Sequence, residues 1–299
     1  MRAVGTQPMF NPTKLMIDAF VASVEDAYRA TFSTLEPGYP GILAWASRMV
    51  LERLANSDAL YHNVEHTIFA TLVGQEILRG KHILDGGVSP RAWVNFMVAL
   101  LCHDIGYVRG VCKGDSVDSF VTDQNGNRVT APPGASDAFL TPYHVDRAVI
   151  FVRERFQNVA WFDLAEVEKA LELTRFPVPA VGDQPSTHTP AALVRAADLI
   201  GQLADPNYMR KVNCLFHEFE ETGMNARLGF RTPADVAENY PQFFWSAVRP
   251  YIGDALRYLQ VTQDGKQWIA NLYHHIYAVE HREARLGPAP NPVRSVKMG

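Results

Sequence analysis

Ser89-Pro90-Arg91-Ala92-Trp93-Val94-Asn95-Phe96-Met97-Val98-Ala99-Leu100-Leu101-Cys102-His103-Asp104-Ile105-Gly106 reads as one buried helix with a polar end. Serine is a good N-cap because its oxygen accepts from an amide that has no partner inside the helix. Proline suits the first helical position because the N–H it lacks would go unused there. Trp93, Phe96, Met97, Leu100 and Leu101 then recur at helical spacing until Gly106 stops the pattern. His103-Asp104 follows directly on the apolar run Phe96–Cys102. A carboxylate that close to a buried run needs a partner, and a helix C-terminus disfavours its charge. A metal cation would resolve both problems; the plainer reading is a structural His-Asp hydrogen bond.

Helical rhythm extends outward from this stretch. Upstream, His62 to about Gly80 carries Ile68, Phe69, Leu72, Val73 and Ile77 on one side. Gly41–Ala55 and Leu15–Phe32 are amphipathic in the same way. Downstream, helices are expected at His144–Phe156, Asp163–Thr174, Pro190–Leu203, Met209–Glu221, Pro241–Leu259 and Lys266–Ala284. Only about 107–141 breaks the pattern, with Gly126 dividing Ser119–Gln124 from Arg128–Ala131 as in a short hairpin. An irregular insertion of that length reads as a lid or as a passive surface loop. No strand series able to build a sheet is visible, so the expected fold class is all-α. The expected organisation is a single helical domain over 1–286, its metal core at about 60–205, with a disordered tail at 287–299.

The net charge of −4 offers no basic field for a nucleic-acid polymer. Three cysteines without metal-ligand spacing fit a reducing cytoplasm rather than a disulfide framework. No stretch approaches the roughly 18 apolar residues of a membrane span, and Met1 to Leu15 lacks a signal-peptide core.

Two more places carry chemistry. Tyr61-His62-Asn63-Val64-Glu65-His66 puts two histidines at i and i+4, on one helix face with Phe69, Val73 and Ile77. Asp198 is an acid within the core-like run Ala191–Ile200, with Arg195 as its local partner or a metal as its distant one. His66, His103, Asp104 and Asp198 together mix imidazole and carboxylate donors, which suits Fe, Mn, Zn, Ni or Co better than Ca.

This order of His, His-Asp and Asp on separate core helices resembles the HD-domain metal-dependent phosphohydrolases. The pattern is most similar to class I 3′,5′-cyclic nucleotide phosphodiesterases. Beyond the ligands, the likeness runs through Tyr143-His144, Glu172-Leu173-Thr174, Ala196-Ala197-Asp198-Leu199 with Asp205-Pro206, Glu218–Gly223 and Tyr240–Trp245. It implies an HD-type helical bundle holding one or two divalent ions, Mg being an option at the second, with Asp104 shared between them. It implies a metal-activated water attacking phosphorus in a phosphodiester of a (cyclic) nucleotide. It further implies His62 as general acid, His144 supporting a second metal or phosphate, and Gln242, Phe244 and Trp245 holding a base. For His62 the plainer reading is a hydrogen bond to Glu65 or a backbone group, for His144 an ordinary helix start, and for the aromatics core packing. Two positions depart from the family, Tyr107 where a histidine is usual and Thr141 where an acid is usual. Rival readings are a monoester nucleotidase, a mixed-valence di-iron oxygenase with only His144 and His188 as further ligands, and a degenerate nucleotide-binding regulatory module. The expected partner is a small phosphoester, and the resemblance makes a homodimer an option, since HD proteins often pair through helices.

Overall fold

Side-chain caps explain where the helices around the site begin. In the computed structural model, which describes residues 10–176 and 186–281, Ser89 accepts from Ala92 N and opens α4 (Pro90–Cys102). Thr189 does the same for α7 (Pro190–Leu203) through Ala192 N. Asn63 accepts from Glu65 N and His66 N and opens α3 (Val64–Asp85). One side chain there satisfies two amides that the helix leaves unused. The helix expected from His62 therefore begins two residues later, and His62 lies before the cap rather than on the same helix face as His66.

The remaining helices are α1 (Pro12–Phe32), α2 (Tyr39–Leu54), α5 (His144–Phe156), α6 (Leu164–Leu173), α8 (Tyr208–Glu221), α9 (Met224–Leu228), α10 (Pro233–Glu238), α11 (Tyr240–Phe243), α12 (Gly253–Leu259) and α13 (Gln263–Glu280). The fold is all-α. Its only sheet among the described residues is the antiparallel hairpin of β1 (Ser119–Val121) and β2 (Arg128–Thr130), with Phe120 opposite Val129. The hairpin falls inside the irregular stretch, where the sequence places it. A single helix over Pro241–Leu259 does not form. After α11 the chain makes a π-turn (Phe244–Val248), then a 3-10 turn (Arg249–Tyr251), before α12 begins. Pro250 has no N–H to give and its ring crowds the preceding turn, so a continuous ladder fails there.

One hydrophobic core runs through α1 to α8 and on to α12 and α13, with a satellite cluster of Phe120, Phe139 and Leu140 under the insertion. At its centre α3 lies along α7. Gly201 makes that approach close, since a Cβ there would sit 2.6 Å from Ala70 Cα. No helix among the described residues is long and apolar enough to cross a membrane. The tail expected at 287–299 lies outside the described residues.

Candidate metal centre

His66 sits in the first turn of α3, fixed by the Asn63 cap. His103 ends α4, and Asp104 follows at φ −103° and ψ 3°, the sparsely populated bridge region common among active-site residues. Asp198 faces them from the middle of α7. His66 Nε2 and His103 Nε2 are 3.3 Å apart. Asp104 Oδ2 lies 3.0 Å from His103 Nε2 and 3.3 Å from His66 Nε2. Asp198 Oδ1 lies 3.2 Å from His66 Nε2 and 3.4 Å from His103 Nε2. Ligands on bonds of about 2.1 Å, spread at octahedral or tetrahedral angles, stand about 3.0–3.4 Å from their neighbours. His66, His103 and Asp198 thus form a buried group that could hold a metal ion, with Asp104 against its two imidazoles.

Protonation points the same way. His103 Nδ1 is 2.6 Å from the carbonyl of Leu100, which can only accept, so the ring proton is on Nδ1. In the neutral ring, Nε2 would then present its lone pair toward His66 Nε2, as in metal-ligating histidines whose other nitrogen is held by a carbonyl. Among the described residues, buried Asp104 Oδ2 meets no donor in hydrogen-bond geometry, and His66 Nδ1 is likewise without a partner. Burial alone would push both imidazoles down in pKa. The carboxylates of Asp104 and Asp198 outweigh it and raise His66, and raise His103 well above the usual range. Burial opposes the charge on Asp104 too, yet His103 holds its carboxyl well below the ordinary value. The cluster draws in positive charge, as protons or as a cation.

His62 borders this group from outside α3. Its Nδ1 donates to Glu218 Oε2 at 2.5 Å, while Glu218 Oε1 accepts from the amides of Tyr61 (2.6 Å) and His62 (3.2 Å). Burial works against a charged His62, but Glu218 prevails and lifts its pKa to about 9. The partner of His62 is therefore Glu218, not Glu65, which pairs with Lys211. Sequence reasoning missed this role of Glu218. The signal was an acid on the buried stripe Tyr208, Val212, Leu215 of α8.

The two departures from the HD pattern meet here. Tyr107 lies between His62 (4.7 Å between ring centroids, 9° between planes) and His144 (4.7 Å, 26°). His144 Nδ1 donates to the carbonyl of Thr141 at 2.6 Å. His144 thus packs on Tyr107 and lies outside the His66–His103–Asp198 group. Gly106 brings this about, since a Cβ there would lie 1.8 Å from His144 O.

A cavity opens over the cluster, lined by His62, Asp104, Tyr107, His144, Asp198 and, further out, Thr174, Arg195, Asn239 and Phe243. Gln242, Phe244 and Trp245 do not line it. Phe244 is fully buried against Trp245 and Tyr273, while Gln242 is exposed and Trp245 is 51% exposed. From this segment it is Tyr240 and Phe243 of α11 that line the cavity. Arg195 does not pair with Asp198; its guanidinium lies 4.1 Å from the ring centroid of Tyr251. His188 is exposed and remote in contact from the group, next to Ser186.

A family model described as Npun_R2479-like matches residues 10–282, a span that includes every residue of the cluster and its cavity. No curated protein matches the chain.

Proposed function

We propose that this chain, which belongs to the Npun_R2479-like family, is a metal-dependent phosphohydrolase of the HD type acting on a small phosphoester. The observation that carries the reading is the convergence of His66, His103, Asp104 and Asp198 at 3.0–3.4 Å, with a buried carboxylate oxygen left without a donor. Imidazole and carboxylate donors suit Mn, Fe, Zn, Ni or Co. A divalent ion bound there supplies a polarised phosphoryl oxygen and an acidified water. The packing of Tyr107 between His62 and His144 supports one ion rather than two.

His62 is the general acid. Glu218 takes its Nδ1–H and keeps the ring charged at neutral pH, which leaves Nε2–H to protonate a leaving oxygen. Tyr107, stacked flat on that ring, fixes its plane. The leaving group extends toward Asn239 and Phe243, where an amide and an aromatic face suit a nucleobase.

Turnover tests this directly. Purified protein with Mn²⁺ or Fe²⁺ is offered cAMP, cGMP, nucleoside monophosphates and a chromogenic diester, with Asp104→Ala as the blank. Hydrolysis of any of these, abolished in the blank, is expected. Absence of turnover across the panel with metal bound would overturn the reading and favour a regulatory binding module.

A further inference from the structure

We propose that Arg195 forms an anion subsite in the cavity, one helical turn from Asp198, so that the natural ligand carries a second anionic group beside the one at the metal cluster. This rests on the phosphohydrolase reading only for the identity of the first group.

Arg195 is 4% exposed and lines the cavity. Among the described residues its buried Nε has no hydrogen-bond partner, and no carboxylate lies within salt-bridge distance. Other cationic groups nearby are already satisfied. Arg175, in the same cavity, is bound by Glu172 at 2.8 Å and Asp146 at 3.1 Å. Among the described residues, the one contact that answers the charge of Arg195 is the face of Tyr251, a cation–π contact that supplies no counter-charge. Burying an ion without a counter-charge costs several kcal/mol, so a side chain of this kind is rarely kept for packing that leucine or methionine would supply.

Geometry specifies the ligand. Arg195 precedes Asp198 by three residues on α7, so the guanidinium and the carboxylate rise from one face about 4.5 Å apart along the axis. Tyr251 covers one face of the guanidinium, so an oxyanion in the cavity would meet Arg195 through the donor N–H groups at its edge. A planar fork of donors matches a carboxylate or a phosphate two-pronged. The shared chemistry is a compact oxyanion joined through a short linker to the phosphoryl group at the cluster.

The test is calorimetric binding to full-length, Mn²⁺-loaded protein. Methyl phosphate, phosphoglycolate and propane-1,3-diyl bisphosphate serve as probes with no second anion, a carboxylate and a second phosphate. At least one two-anion probe should bind about tenfold or more tightly than methyl phosphate, and whichever does so distinguishes carboxylate from phosphate. Arg195→Met should abolish that preference and leave methyl phosphate binding within about twofold; Arg195→Lys should restore part of it. Equal binding of all three probes to the wild type, or an intact preference in Arg195→Met, would overturn the subsite. If Arg195→Met does not fold, Tyr251→Leu takes its place and should cut the preference several-fold, an unchanged preference again overturning the proposal. Turnover plays no part in these readouts, so a failure to hydrolyse phosphoesters would count against the enzyme reading alone.

Discussion

Two buried polar clusters stand on either side of Gly106, and they are built on opposite terms. Behind the insertion, Arg147 of α5 is fully buried and fully answered. It donates to the carbonyls of Gly106 (2.7 Å), Val121 (2.6 Å) and Val108 (2.9 Å) and to both oxygens of Asp115 (3.0 Å each). Asp115 also accepts from the amides of Val121 and Cys112. In front of Gly106, the cluster of His66, His103, Asp104 and Asp198 has facing ring nitrogens and a carboxylate oxygen without a donor. A closed network has no capacity left for a ligand, whereas an open one holds its charges in place for something that arrives later. The contrast separates answered from unanswered charge, which burial alone does not, since both clusters are buried.

The largest expected effect is in the closed cluster. Asp115→Ala strands a buried guanidinium and should cost about 3–5 kcal/mol in urea unfolding. A loss below about 1 kcal/mol would mean that the two clusters differ less than their geometry indicates.

Next comes the scaffold of the open cluster. Gly201→Ala forces α7 away from α3, because its Cβ would meet Ala70 backbone at 2.6 Å. Overpacking of this kind should cost about 1–3 kcal/mol and weaken metal binding as His66 and Asp198 separate. Unchanged stability and metal affinity would show that close contact is not what positions the two ligands.

The His62–Glu218 pair is the intermediate case, closed on Nδ1 and open on Nε2. The pKa of His62 is raised from 6.5 to about 9, so its contribution to stability is complete below about 6.5 and is lost as pH rises through about 9. The unfolding free energy of His62→Gln should fall about 1 kcal/mol short of wild type at pH 6.5. That gap should close by about pH 10. A gap that stays constant with pH would mean that the ring is not held charged by Glu218. The smallest effect is expected at Trp245, half exposed and off the cavity, where alanine should change stability by no more than about 0.5 kcal/mol and leave ligand binding intact.

What was legible in the sequence was whatever depends on neighbours along the chain. The Ser89-Pro90 start of α4 and the meeting of a long apolar run with His103-Asp104 follow from local capping and burial. So does the oddity of Asp198 within an apolar helix. The all-α class and the hairpin are of the same kind. What was not legible depends on distant or three-dimensional facts. Glu218 reaches His62 across 156 residues, and an acid on a buried stripe was the sole clue. The assignment of His62 to the helix face of His66 ignored the strength of the Asn63 cap. Gln242, Phe244 and Trp245 were placed by the resemblance alone, and the packing that buries Phe244 against Tyr273 and turns Gln242 and Trp245 to the surface depends on contacts distant in sequence. Tyr107 could be recognised as a departure from the HD pattern, but its stacking between two histidines rests on the approach of α5 to Gly106.

The central claim is that the open cluster holds a divalent ion, and metal stoichiometry tests it most directly. Wild type, His103→Ala and Asp198→Ala would be incubated with Mn²⁺ or Fe²⁺, desalted and assayed by mass spectrometry for bound metal. Wild type is predicted to retain about one ion per chain and each variant less than about a tenth of that. A wild type that retains no metal, or variants that retain as much as wild type, would contradict the account.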